Sequence, residues 1–154
     1  KCLAVATLFC FVAGVEAIAH ERLQSAAFDP LLGHDTRRLR VNLRYLQNTL
    51  EQLIVLAVTL FGLAAYLDSG ESMRAVLATA VVWIAGRFAF WIGYHRSAAL
   101  RGLGAPGILV TMLALLYVVW RVGDDLPVPA CGWAFIALFL LLEATLFRAT
   151  RERA

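Results

Sequence analysis

The chain has 154 residues, 61% of them apolar, a net charge of +3 and a mean hydropathy of +0.74. A soluble domain holds about 45–50% apolar residues; here the excess lies in nearly charge-free blocks of about 16–21 residues, long enough to cross a bilayer core as helices. Membrane strands are excluded because they alternate apolar and polar residues, and the positive charge does not argue for nucleic acid because it flanks the apolar blocks, as topology and headgroup contacts require.

Five hydrophobic segments follow in chain order, giving an all-α integral membrane bundle and a single domain over residues 1–154. They run roughly 2–19, 50–67, 75–94, 107–122 and 131–147. The charged start and first apolar run also describe a signal peptide. However, Glu16, His20, Glu21 and Arg22 follow in place of a small-residue cleavage site, so a membrane helix is expected. Asp29-Pro30 and Gly33 break the chain after it. Helical character resumes at Asp35-Thr36, so the second helix is expected to start near Thr36, ahead of its apolar block. The connections alternate in charge. The first carries Arg22, Arg37, Arg38, Arg40 and Arg44; the second is Asp68-Ser-Gly-Glu71. The third carries His95, Arg96 and Arg101; the fourth contains Asp124, Asp125, Pro127 and Pro129. The tail carries Arg148, Arg151 and Arg153. Five spans obey this pattern if the basic ends are cytoplasmic and the N-terminus is outside. A four-span alternative leaves the last segment at the interface. Cys2, Cys10 and Cys131 lie in or beside apolar blocks, without metal or redox spacing, and read as packing residues.

Charges inside the apolar blocks are costly, roughly +2.5 to +3.5 kcal/mol at a span centre, and so mark candidate sites. Arg44, Asn48 and Glu51, at i, i+4 and i+7, share one helix face within about 60°. Arg87, Tyr94 and Arg101 repeat every seven residues and share a face if their helix continues that far. Glu51 is an available partner for the buried Arg87, and a purely structural ion pair is the competing reading. Glu16 and His20, four apart, read as an interfacial pair before a metal or proton site. Glu143 reads as a snorkelling or paired carboxylate. His20, His34 and His95 are too few and too scattered for a di-iron centre, and no metal site is expected.

The string Arg87-Phe-Ala-Phe-Trp-Ile-Gly-Tyr94-His-Arg-Ser-Ala-Ala-Leu-Arg101, together with Arg44-x3-Asn48-x2-Glu51, resembles the MAPEG family, the membrane-associated proteins in eicosanoid and glutathione metabolism. The likeness spans roughly Leu39 to Gly107. It implies a homotrimer in which glutathione lies between neighbouring subunits, touched by Arg44, Asn48, Glu51, Arg87, Tyr94 and Arg101. Arg101 inherits the family's thiolate-stabilising role, with Tyr94 beside it as the second catalytic candidate. The setting it implies is a bacterial inner membrane with the active site on the cytoplasmic side. Two positions depart from the leukotriene-type pattern: Gln52 and Phe90 stand where those members have tyrosines.

Three functions are carried forward. The first is a glutathione transferase or peroxidase acting on lipophilic electrophiles that arrive from the bilayer, with no metal. The second is a non-catalytic lipid-binding or scaffold protein of the same fold, favoured by Gln52 and Phe90. The third is a small transporter or channel subunit, opposed by the short chain and the absence of repeats.

Overall fold

The computed structural model describes residues 1–25, 28–29, 31, 33–67, 69–70 and 73–151. The expected turn residue Pro30, the acidic ends Asp68 and Glu71 of the second connection, and Arg153 of the tail lie outside the described residues. Five long helices carry the fold: α1 (Cys2–Leu23), α2 (Arg37–Tyr66), α3 (Met73–Arg96), α4 (Ala105–Asp124) and α5 (Cys131–Arg151). A short 3-10 helix, Ala99–Gly104, leads into α4. All five long helices are long and apolar enough to cross a membrane, the last included. The protein is therefore an integral, multi-pass, all-α membrane protein. No strand occurs among the described residues.

Thr36 starts α2 as its N-cap, its Oγ1 accepting from the Leu39 backbone N–H at 3.0 Å. That bond satisfies one of the unpaired donors at the helix start. The Thr36 hydroxyl donates to Glu21 at 2.9 Å, and Glu21 also meets Arg38 at 3.6 Å. Arg37 donates to the His95 carbonyl at 3.0 Å. These contacts gather the end of α1, the start of α2 and the end of α3 at one pole, the basic one. At the opposite pole the Tyr66 hydroxyl donates to Asp125 at 2.7 Å, and Arg121 lies over the Tyr66 ring at 5.3 Å. Among the described residues the first and third, basic connections thus meet at one end of the bundle, and the fourth connection, with Asp125, lies at the other.

The core lies between α1, α2, α3 and α4, around Ala6, Cys10, Leu56, Leu60, Ala80, Trp83 and Val118. Within α1, Thr7–Val12 widen into a π-helical stretch. The Cys10 carbonyl there accepts from the buried Tyr45 hydroxyl at 2.9 Å. A freed backbone carbonyl and a phenol thereby satisfy each other in apolar surroundings, where neither finds water. Among the described residues, helix α5 packs chiefly against α4. At that crossing a Cβ on Gly123 would collide with the Gly132 backbone, and the Trp120 and Trp133 rings meet at 5.7 Å. The rest of α5 is almost wholly exposed, Glu143 included.

Candidate functional site

Toward the basic pole, α2, α3, the 3-10 helix and the start of α4 enclose a cleft of about 420 Å³. Arg44, Gln47, Asn48 and Glu51 line it from α2, and Phe90 and Tyr94 from α3. Arg101, Gly102, Gly104, Ala105 and Ile108 close the third side. The face spacing of Arg44, Asn48 and Glu51 follows directly from one uninterrupted helix of 30 residues.

Arg101 reaches the cleft by another route than the one the sevenfold spacing suggested. Helix α3 ends at Arg96, and the chain doubles back into the 3-10 turn. A Cβ at Gly93 would collide with the Leu100 carbonyl, so the close return needs glycine at that position. The fold-back, and not a continuing helix face, brings Arg101 to the cleft that Tyr94 also lines.

Arg87 does not line the cleft. It is fully buried, behind the wall made by Phe90 and Gly104. Its guanidinium lies 4.9 Å from the Phe90 ring and 5.8 Å from that of Trp83. A Cβ on Gly104 would come within 3.3 Å of Arg87 Nη2. The expected Arg87–Glu51 pair is not formed. Arg87 Nη1 donates instead to Asn48 Oδ1 at 2.7 Å, and Glu51 accepts from Gln47 at 3.3 Å. Asn48 faces α3, whereas Glu51 is exposed and turned toward the cleft. Arg87 Nε and Nη2 have no hydrogen-bond partner. A buried cation without a counter-ion is expensive, and the two aromatic faces recover only part of that cost.

Gln47 and Gln52 were not singled out as site residues by spacing. Gln47 carried a signal, since it stands three residues after Arg44 and four before Glu51. Gln52 donates through Nε2 to Asn48 Oδ1 at 3.2 Å, joining the chain Arg87–Asn48–Gln52. Below the wall of Tyr94, Asn42 Oδ1 accepts from Trp91 Nε1 at 2.9 Å and meets His95 Nε2 at 2.9 Å. Tyr45 stacks on Trp91 at 4.5 Å. This partly buried cluster ties the end of α3 to α2, and the Tyr94 ring packs against Phe90 at 5.6 Å. The Glu16–His20 contact at 3.7 Å is exposed, on α1. Among the described residues no group of three or more His, Cys, Asp or Glu side chains gathers to hold a metal ion.

The model of the MAPEG family matches residues 2–124. The chain belongs to the MAPEG family. MAPEG proteins form a membrane family of glutathione-related transferases and synthases, and the matched region contains every residue of the cleft. Helix α5 lies beyond it. Searches of curated proteins and of solved structures return no match.

Proposed function

We propose that this MAPEG protein is a glutathione-dependent transferase or peroxidase acting on lipophilic electrophiles. The observation that carries the reading is the charge layout of the cleft. Arg44 and Arg101 stand at its walls, and Arg87 waits behind with two unpartnered nitrogens. Glu51 is the single carboxylate among the lining residues. Glutathione presents the complement: two carboxylates, one ammonium and a thiol. Its carboxylates pair with Arg44 and the field of Arg87, and its ammonium with Glu51. Asn48 retains its side-chain N–H donors for the peptide carbonyls, because its Oδ1 is taken by Arg87.

The chemistry follows from the sulfur. A thiol with a pKa near 8.5 is mostly protonated at neutral pH, and an adjacent cation favours the nucleophilic thiolate. Arg101 supplies that cation, and Tyr94 donates a hydrogen bond to sulfur or to an oxyanion formed on the co-substrate. Arg44, Gln47, Glu51 and Arg101 are exposed, which suits a cleft completed by a neighbouring copy in a homotrimer. The basic pole supports reading the site as cytoplasmic, in what we take to be a bacterial inner membrane.

The scaffold reading loses the Arg87–Glu51 pair on which it relied, though Phe90 still lines the cleft without a hydroxyl. Calorimetry with glutathione separates the two. Saturable binding is expected in wild type, weakened roughly tenfold or more in Arg44→Ala and in Glu51→Gln, as for charge-assisted hydrogen bonds. Absence of binding in wild type would overturn the transferase reading and leave the scaffold.

A further inference from the structure

Helix α5 lies outside the residues that the family model matches, so membership does not account for it. Only its first half meets the bundle. Gly132 is buried, and Ile136 and Phe139 are partly buried, whereas every residue from Leu140 to Arg151 is exposed. Gly132, Ile136 and Phe139 follow the four-three spacing of one helix face. Glu143 is the next position on that face, past the point where contact with α4 ends.

Glu143 sits deep in the span. Leu141 is the middle residue of the 21 in α5, and Glu143 lies two residues beyond it, about 3 Å along the axis. In a hydrocarbon core about 30 Å thick, the nearer water is then about 12 Å away. The two methylene groups of the side chain do not span that distance, so Glu143 does not snorkel. A carboxyl held at such depth without a partner is costly. One helical turn to either side stand Phe139, Leu140, Leu146 and Phe147. Among the described residues no hydrogen bond or ion pair reaches Glu143. The approach of Gly123 to Gly132 and of Gly62 to Val118 sets Glu143 about level with Met112 on α4 and Leu56 on α2. Residues 53–59, 76–84 and 109–115, around that depth, carry no charge.

A second copy of the chain supplies the missing partner. Copies enter the membrane in one orientation, fixed by their basic ends. Copies related by an axis normal to the bilayer hold each residue at one depth, so Glu143 of one is level with Glu143 of the next. A carboxylate only accepts, a protonated carboxyl also donates, and two carboxyls that share a proton satisfy each other. We propose that α5 is a self-association helix, pairing with α5 of a second copy along the face of Phe139, Glu143 and Leu146, with one Glu143 carboxyl donating to the other. Between helices in lipid, such a hydrogen bond adds to an association that apolar side chains alone do not drive. The contact is independent of what the cleft binds.

The test traps the contact in the full chain, reconstituted in liposomes. Leu146→Cys puts a thiol within about 60° of Glu143, and Leu141→Cys puts one about 160° away. In a single copy Leu146 is 52% exposed and Leu141 61%, so one chain alone gives neither position an advantage. Copper-phenanthroline oxidation is followed as disulfide-linked dimer, after subtracting the dimer formed through the native Cys2, Cys10 and Cys131. Leu146→Cys is expected to yield about fivefold more dimer than Leu141→Cys. Adding Glu143→Leu is expected to lower the Leu146→Cys yield about fivefold. Glu143→Gln, whose amide both donates and accepts, is expected to keep it. Equal trapping at the two positions would overturn the proposal. So would trapping that Glu143→Leu leaves unchanged, or that Glu143→Gln abolishes as fully as Glu143→Leu. Trapping at neither position would overturn it too, with lipid or another membrane protein covering the face. The comparison of Leu146→Cys with Leu141→Cys is decisive even if a Glu143 variant fails to fold.

Discussion

Arg87 makes one hydrogen bond, to Asn48, and faces two aromatic rings in otherwise apolar surroundings. A residue kept only for packing would do better as an apolar chain of similar length, since replacing a buried charge in this way is often neutral or stabilising. Arg87→Met is expected to keep or raise the thermal midpoint of the glutathione-free protein while weakening glutathione binding at least tenfold. Thermal unfolding and calorimetry on one preparation check both halves. A lower midpoint with unchanged affinity would make Arg87 a structural residue. Tyr45 is the opposite case. Its hydroxyl ties α2 to the π-helical stretch of α1, so Tyr45→Phe should cost about 0.6–1.5 kcal/mol of stability. Glutathione affinity should stay as it was. Asn42→Leu should break the Trp91 and His95 bonds together and loosen the end of α3. Glutathione affinity then falls although Asn42 does not line the cleft.

At the scale of elements, the helices were largely legible because span length and charge flanks are strong signals. Thr36 declared its cap in sequence, and α2 begins one residue later. The fold-back after α3 was not legible. The spacing of Arg87, Tyr94 and Arg101 fits a continuing helix equally well, and the glycine at Gly93 that lets the chain return so closely has meaning only once the fold-back is seen. The partner of Arg87 was also misjudged. Charge alone favoured Glu51, but which face of α2 meets α3 is decided by packing, and Asn48 occupies it. The π-helical stretch has no periodic signature in a segment that is apolar all round. Helix α5 lies beyond the family match and meets the bundle through the Gly123–Gly132 crossing. Gly123→Leu should pull α5 from α4, seen as faster proteolysis of the 125–130 turn, while leaving glutathione binding within about twofold. Loss of binding in that variant would tie α5 to the cleft.

For the whole molecule, the gathered charges set a direction. The basic pole holds Arg37, Arg38, Arg44 and Arg101 together with the cleft, and the opposite pole holds Asp124 and Asp125 beside Arg121. The cleft is lined by two arginines, Arg44 and Arg101, against one carboxylate, Glu51. If the cleft holds glutathione as we propose, its sulfur is a thiolate beside Arg101. The most direct measurement is the ultraviolet difference absorbance of the thiolate while detergent-solubilised protein is titrated with glutathione at neutral pH, for wild type and Arg101→Ala. A saturable thiolate band is expected in wild type and its loss in Arg101→Ala. A wild type that gives no band, or a band of equal size in Arg101→Ala, would contradict it.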